Sequence, residues 1–282
     1  MLDDFSRWIS GAVFSCPDGG PHRFNNCGTG SVQKGLHDDE EGQGRLAPEA
    51  SVAMATLVRR LHRFSPGADL TPLNHAFQQL RSLDRDEPVW RHKSEDHPVL
   101  VLESGFAYSF TLYPDGRRHI GDMFGPGALC GFGSAAVAEE GLNLAFKSGS
   151  RVTVFDAARL ADALHEKPEL ELLFKQDGDA RARRTAQRNR GLISLPAAEK
   201  LALVLLDLRE ELSLATDPGE WLPLPLTLRE LGDLTGLTDV HVSRTLKKLQ
   251  TDGMLERRGK RFRMGDTAAL ESALDYRHFY YG

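Results

Sequence analysis

The segment 227–253 constrains the fold more than any other part of the chain. Thr227 and Glu230 have the spacing of a capping box, in which the threonine hydroxyl accepts from the glutamate amide and the glutamate side chain accepts from the threonine amide. The helix predicted there ends at Gly236 and carries three leucines, namely Leu228, Leu231 and Leu234. Thr238 is placed to cap a second helix. Two short helices that meet at a glycine are typical of a helix-turn-helix.

The second predicted helix has two unlike faces. At about 100° per residue, its apolar side chains share one stripe that must pack inward: Val242, Leu246 and Leu249. The opposite side is polar and cationic, as contact with bases and phosphates in the major groove requires. The DNA-contacting residues predicted at this helix are Thr238, Val240, His241, Ser243, Arg244, Lys247 and Lys248.

A basic hairpin is predicted after this helix, with its turn at Gly259. Its strands, Leu255–Arg258 and Lys260–Met264, form a wing suited to contact with the DNA backbone. The DNA contacts predicted there are Arg257, Arg258 and Lys260. Residues 227–263 contain nine Lys/Arg and five Asp/Glu, although the whole chain has a net charge of −5. This local excess of positive charge favours a polyanionic partner.

Short apolar stretches separated by glycine and proline dominate residues 89–155, as at Gly125-Pro-Gly127. This texture predicts an antiparallel barrel or roll. The pair Asp115-Gly116 predicts a tight hairpin turn, because these residues tolerate positive φ. The preceding residues, from Met54 to about Leu83, are predicted to form a helix-rich lead-in.

Four segments are predicted along the chain. The first segment is polar and acidic and is too poor in apolar residues to order itself. Translation is expected to start at Met54, after this segment. The fold class is α+β: an N-terminal β-roll resembling a cyclic-nucleotide-binding jelly roll, a long dimerisation helix and a C-terminal winged helix-turn-helix. The segments are a disordered extension (1–53), the sensory β-roll with flanking helices (54–167), the dimerisation helix (168–195) and the DNA-binding domain (196–282).

Several classes of protein are excluded by what the sequence lacks. No apolar run approaches the ~20 residues that span a membrane. Asp3 and Asp4 stand where a secretory signal needs basic residues, so a cytoplasmic protein is expected. A phosphate-binding glycine loop, a nucleophile elbow and a His-Glu-x-x-His pair are also missing, so no enzyme is predicted.

The chain resembles the Crp/Fnr superfamily, the cyclic-AMP receptor protein and its relatives, between about Leu57 and Leu270. The resemblance is carried most specifically by three stretches and more weakly by two in the roll: Leu226–Thr238, Val242–Leu246, Gly253–Leu255, Pro114–Ile120 and Phe124–Gly127. It implies a homodimer whose roll senses a signal and whose paired recognition helices bind a near-palindromic site on double-stranded DNA. RNA polymerase is implied as a further partner.

The roll departs from the family members that bind cyclic AMP. Those members use a Gly-Glu pair followed by Arg-Ser/Thr to hold the ribose and the phosphate. Here the corresponding stretch is Cys130–Ser134 followed by Glu139–Asn143, with no arginine between Arg118 and Arg151. Glu139 would repel a phosphate, as would the glutamate after it. A signal other than cyclic AMP is therefore predicted.

The recognition helix also departs from many relatives, which place a cytosine-reading glutamate where Val240 stands. Valine can touch a thymine methyl group but cannot accept a hydrogen bond. A half-site different from the best-known family consensus is therefore expected.

A metal or haem cofactor is not predicted, and the identity of any cofactor stays open. Oxygen-sensing relatives hold an iron–sulfur cluster with four cysteines, whereas this chain has three, at Cys16, Cys27 and Cys130. His22 could add a ligand, but nothing fixes its geometry. Three further histidines lie in or near the roll without ligand spacing: His92, His97 and His119. Free thiols and exposed histidines are expected.

Arginines crowd the predicted dimerisation helix between Arg181 and Arg190, and they are expected to form a solvated basic face. One coiled-coil register would be lined by Leu170, Leu173, Asp177, Ala180, Arg184, Gln187 and Gly191, a poor apolar seam. Either dimerisation uses the Leu170–Phe174 end and the roll, or the dimer is weak without its signal. A competing function is a ligand-binding or protein-interaction module whose helix-turn-helix does not engage DNA.

Overall fold

A computed structural model describes residues 54–89, 99–130, 143–215, 217 and 219–280. The predicted extension 1–53, with Cys16, His22 and Cys27, lies outside the described residues. So do His92 and His97, and most of the stretch on which the cyclic-AMP prediction rests. None of the helices in the described ranges is long and apolar enough to cross a membrane.

The described residues form α-helices, a 3-10 helix at Thr71–Ala76 and β-strands. The α-helices are α1 Ala55–Leu61, α2 Ala157–Glu166, α3 Pro168–Ser194, α4 Ala197–Ser213, α5 Leu228–Thr235, α6 Asp239–Thr251 and α7 Thr267–Ala273. The strands are β1 Phe77–Ser82, β2 Glu87–Val89, β3 Val99–Ser104, β4 Ala107–Leu112, β5 Arg118–Phe124, β6 Leu129–Cys130, β7 Asn143–Phe146, β8 Arg151–Phe155, β9 Leu222–Pro223, β10 Leu255–Arg258 and β11 Arg261–Met264.

Two four-stranded antiparallel sheets form the predicted roll, with strand orders β1-β8-β3-β6 and β2-β7-β4-β5. Apolar side chains from both sheets, such as Leu102 and Phe146, pack together between them. The predicted hairpin turn joins β4 to β5: Gly116 has φ +82° and its amide donates to the Tyr113 carbonyl at 2.9 Å. The α+β fold with a β-roll is confirmed.

The predicted helix-rich lead-in is wrong at its end. Residues Phe77–Ser82 form strand β1, which pairs with β8 at the edge of one sheet. The spacing of Phe77 and Leu80 also fits one face of a helix, so the local pattern was ambiguous. Pairing with β8, about 70 residues further along the chain, decides the outcome.

The long helix α3 begins at Pro168, as predicted, but its faces are not the expected ones. Every residue of the predicted coiled-coil register is buried within this chain: Leu170, Leu173, Asp177, Ala180, Arg184, Gln187 and Gly191. Arg181 and Arg188 are buried with them, so the predicted solvated basic face is wrong for these arginines. Of the arginines from Arg181 to Arg190, only Arg183 and Arg190 are exposed.

The buried arginines of α3 bond to backbone carbonyls of the roll. Arg188 Nη2 donates to Gly121 O at 2.6 Å, and Arg184 Nη2 donates to Met123 O at 3.2 Å. Both acceptors lie in β5. Arg181 Nη1 reaches Leu129 O in β6 at 2.9 Å. A guanidinium group presents five donors, so it can satisfy several carbonyls and carboxylates at once while buried.

Glu211 of α4 is the central anion of this interior. It accepts from Arg60 Nη1 at 2.7 Å, from the Gly125 amide at 2.8 Å and from Arg184 Nη1. Burial alone would raise the pKa of Glu211, but the guanidinium groups of Arg184 and Arg60 outweigh burial and hold that pKa at about 2. Tyr280, near the C-terminus, packs here too, and its hydroxyl accepts from Arg60 Nη2 at 3.2 Å.

Helix α4 joins the roll to the C-terminal domain. Leu201, Leu205 and Leu208 belong to one apolar core that extends from Phe110 of the roll to the helix-turn-helix. Helix α4 packs closely against α3 at Gly191, where an added Cβ would overlap the Leu203 side chain.

Candidate nucleic-acid interface

The two helices of the helix-turn-helix begin and end as the sequence predicts. The Thr227 hydroxyl accepts from the Glu230 amide at 3.2 Å, and Glu230 Oε2 accepts from the Thr227 amide at 2.8 Å, which completes the capping box of α5. Gly236 has φ +72° and ends α5 in the left-handed region that favours glycine. The Thr238 hydroxyl accepts from the His241 amide at 3.3 Å and caps α6.

Helix α6 separates its faces as its periodicity predicts. Val242, Leu246 and Leu249 are buried. The predicted contact residues of this helix and its cap all lie exposed: Thr238, Val240, His241, Ser243, Arg244, Lys247 and Lys248. Val240 is 55% exposed, which is high for a valine and leaves its methyl groups available to a partner. This face brings together apolar, hydrogen-bonding and cationic groups on one rigid helix.

Strands β10 and β11 form the predicted wing, with Gly259 at φ +60° in its turn. Arg258 and Lys260 flank this turn and are exposed. Arg257 differs from the other two predicted wing contacts. It pairs with Phe262, which is fully buried, so Arg257 lies on the inner side of the hairpin and is half-buried.

A third strand, β9, pairs with β11 and brings Trp221 to the wing. The guanidinium carbon of Arg258 lies 4.2 Å from the centre of the indole ring, and that of Arg263 lies 5.2 Å from it. Arg261 Nε donates to the Trp221 carbonyl at 3.0 Å. Sequence reasoning missed Trp221, because the strand that directly follows it is only two residues long and has no pattern of its own.

Polar side chains of the roll hold α5 against the two strands β4 and β5. Tyr108 Oη donates to Glu230 Oε1 at 2.9 Å, and Lys147 Nζ donates to the same oxygen at 3.0 Å. Arg118 forms an ion pair with Asp233 at 2.7 Å. We call these five side chains the roll–helix cluster. The bonded partners are 83 to 122 residues apart in the chain, so no local sequence pattern predicts these contacts.

The charges in the roll–helix cluster stabilise one another. Burial would raise the pKa of Glu230, but bonds from the Thr227 amide, Lys147 and Tyr108 outweigh burial and lower that pKa. Burial would lower the pKa of Lys147, whereas its bonds to Asp86 and Glu230 raise it. The Glu230 carboxylate therefore caps the first helix of the helix-turn-helix and also bonds that helix to the roll.

The roll itself contains a buried carboxyl group, at Glu103. Thr56 Oγ1 donates to Glu103 Oε2 at 2.6 Å, and Thr153 Oγ1 donates to Oε1 at 3.0 Å. Burial raises the pKa of Glu103 to about 7 despite these two bonds. The Cys130 thiol is buried and donates to the Ala128 carbonyl at 3.8 Å, and His119 is exposed. Within the described ranges, no three His, Cys, Asp or Glu side chains come together as a metal site.

The described part of the chain combines a β-roll, a long helix and a winged helix-turn-helix. The family described as a Crp-like helix-turn-helix domain matches residues 199–273. The nitrogen fixation regulation protein FixK of Bradyrhizobium diazoefficiens is 32% identical over 162 residues, which cover 55% of this chain and 64% of that protein. The transcriptional activator protein FnrA of Stutzerimonas stutzeri is 23% identical over 72% of this chain and 83% of its own length.

Solved structures give the same answer. FixK2 from Bradyrhizobium japonicum has a TM-score of 0.56 and 26% identity, covering 69% of this chain and 96% of that structure. A CooA mutant from Carboxydothermus hydrogenoformans has a TM-score of 0.53 over 70% of this chain and 88% of its own, and with 18% identity it supports the fold alone. Residues 199–273 therefore carry a Crp-like helix-turn-helix domain, and the chain is similar to Crp/Fnr regulators in sequence and in fold.

Proposed function

We propose that this protein is a sequence-specific DNA-binding transcription regulator. The observation that carries the proposal is the outward face of α6. Its cationic and hydrogen-bonding side chains are exposed, while Val242, Leu246 and Leu249 anchor the helix from behind. An anchored helix with such a face fits the major groove of DNA.

The side chains of this face suit different parts of a DNA site. Arg244 can bond to guanine O6 and N7, and Val240 can contact a thymine methyl group. Lys247 and Lys248 can bind phosphates or bases. Arg258 and Lys260 of the wing lie where contacts with the backbone would extend the site.

We further propose that the protein acts as a homodimer on a near-palindromic site, through the outer side of α3. Four exposed residues repeat there every seven positions, and we call them the outer seam: Leu172, Asp179, Ala186 and Ile193. Leu172 and Ile193 are 55% and 86% exposed, which is unusual for large apolar side chains. A twofold axis would set each residue beside its copy. The facing Asp179 pair would keep such a dimer modest in strength.

The roll is proposed to sense a signal other than cyclic AMP, and RNA polymerase is the proposed second protein partner. Because the proposed ligand is chromosomal DNA, we place the protein in the cytoplasm.

Selection from random-sequence DNA, followed by mobility-shift titration, tests the DNA proposal. We expect a near-palindromic site that departs from the family consensus at the base facing Val240. Arg244→Ala should weaken binding by about 5- to 150-fold and relax one base position. Arg159→Ala is the matched control, because it removes one exposed arginine from α2 in the roll. A wild-type protein that selects no sequence would favour the competing reading, a ligand-binding or protein-interaction module.

A further inference from the structure

We propose that Trp221 is a positioning residue for DNA binding, which holds the guanidinium group of Arg258 at the tip of the wing to receive a backbone phosphate. The proposal rests on the proposed function and adds to it a residue outside both the helix-turn-helix and the wing hairpin.

The register of the wing sheet places Trp221 on its outer face. Leu222 pairs with Phe262, and both are buried on the inner face. Because neighbouring side chains on a strand point to opposite faces, Trp221 lies on the outer face. Arg258 and Arg263 share this face, since each is one residue from an inner-face position.

The contact between Arg258 and Trp221 leaves the arginine able to bind a phosphate. The guanidinium carbon lies 4.2 Å from the ring centre, well within the range of a cation–π interaction. Such a contact uses the aromatic face, whereas the N–H donors of a guanidinium group point outward in its own plane. An arginine stacked in this way can still form charge-assisted bonds to a phosphate.

Arg263 contacts the same Trp221 ring, but its charge is paired within the protein. Its guanidinium group pairs with both Glu220 and Glu256. The hydrogen bonds that Arg263 donates to Glu256 and to Glu220 raise the pKa of Arg263. By contrast, among the residues that the structure describes, no carboxylate lies within ion-pair distance of Arg258. Trp221 therefore contacts two arginines, of which Arg263 is paired with carboxylates of the wing sheet and Arg258 has its charge available for a partner.

Positioning matters because an exposed arginine has many rotamers. Fixing them on a phosphate costs conformational entropy, and a side chain already held on a ring loses less on binding. Arg261 adds to this order, since its bond to the Trp221 carbonyl ties β9 to the hairpin. The effect of Trp221 on DNA affinity should therefore pass through Arg258.

The test is a double-mutant cycle measured by fluorescence anisotropy, over a range of KCl concentrations. The probe is a labelled duplex of about 30 base pairs that the wild-type protein selects, long enough for two half-sites and their flanks. The variants are Trp221→Leu, Arg258→Ala, the double variant and Trp221→Phe, which retains an aromatic face. Arg159→Ala is again the control for loss of one positive charge, and thermal unfolding checks that each variant folds.

We expect Arg258→Ala to reduce the magnitude of the slope of log affinity against log salt by about 1.8 for the dimer, because each of its two subunits loses one phosphate contact worth about 0.9. Trp221→Leu should weaken binding several-fold, Trp221→Phe should restore much of it, and the double variant should bind no worse than Arg258→Ala. A Trp221→Leu variant that binds like the wild type, or losses that simply add, would overturn the proposal. If the wild-type protein itself binds no duplex, the proposed DNA function is rejected, so the two failures are distinguishable.

Discussion

The hydroxyl group of Tyr108, in strand β4 of the roll, donates a 2.9 Å hydrogen bond to the carboxylate of Glu230 in the first helix of the helix-turn-helix. The same carboxylate caps that helix through Thr227. A displacement of the roll strands would therefore act directly on the helix start. The contact gives the roll and the helix-turn-helix a shared polar group rather than a linker alone.

Tyr108→Phe should lower the free energy of unfolding by about 1 to 3 kcal/mol, because the bond reaches a charged, buried acceptor. It also removes the acceptor of Arg118 Nη1, which lies 3.0 Å from the hydroxyl. Urea unfolding measures the change. Tyr113→Phe, at the exposed hairpin turn, is the control and should change stability by less than about 0.5 kcal/mol. Equal effects of the two substitutions would contradict the importance of the roll–helix cluster.

Glu211→Gln should destabilise the protein by about 3 to 5 kcal/mol, because Arg60 and Arg184 would keep their buried charges without their shared anion. The pKa of Glu211 is about 2 in the folded chain, below its ordinary 4.5. Its contribution is thus present above pH 4.5 and is lost as the pH falls towards 2. Chemical unfolding at several pH values should show a shallower acid loss in the variant. Glu199→Gln, on the exposed side of the same helix, should behave like the wild type.

We expect Glu103 to give the folding stability a pH dependence opposite in sign to that of Glu211. Its pKa rises from an ordinary 4.5 to about 7 on folding. The folded state therefore favours the neutral carboxyl group, and stability should fall by up to about 3 kcal/mol as the pH rises from 4.5 through 7. Glu103→Gln should remove this slope and be the more stable protein at pH 8. Glu166→Gln, at an exposed position in α2, serves for comparison, and an unchanged slope in Glu103→Gln would reject the assignment.

Ile193→Asp should weaken the proposed dimer at least about tenfold, since each association would bury two added carboxylates at the outer seam. Sedimentation velocity at micromolar concentrations measures the dissociation. Leu112→Asp, in the roll hairpin, is the matched control, because Leu112 is also apolar and 49% exposed. A monomeric wild-type protein, or equal weakening by both substitutions, would contradict the use of this seam.

Local sequence chemistry was enough to predict the helix-turn-helix, because its determinants are close in the chain. Thr227 and Glu230 are three residues apart, and Gly236 alone supplies the left-handed residue between the helices. The stripe of Val242, Leu246 and Leu249 fixes which face of α6 turns inward. These short-range rules do not depend on what packs behind them.

The inner side of α3 could not be predicted in the same way. Its arginines follow the pattern of a solvated face, and they are buried because β5 and β6 present carbonyls, Asp122 lies beside them, and Glu211 and Asp207 of α4 pair with Arg184 and Arg188. The roll carbonyls are at least 52 residues away from the arginines that they bind, and the α4 carboxylates are 27 and 19 residues away. The poor coiled-coil register has the same explanation, since its residues pack within this chain.

Gly191 sets how closely helix α3 packs against helix α4. Neither a methyl group nor any larger substituent can be accommodated there without displacing the Leu203 side chain. A substitution at Gly191 would therefore disturb the packing of α4 without touching either the exposed face of α6 or the strands of the roll.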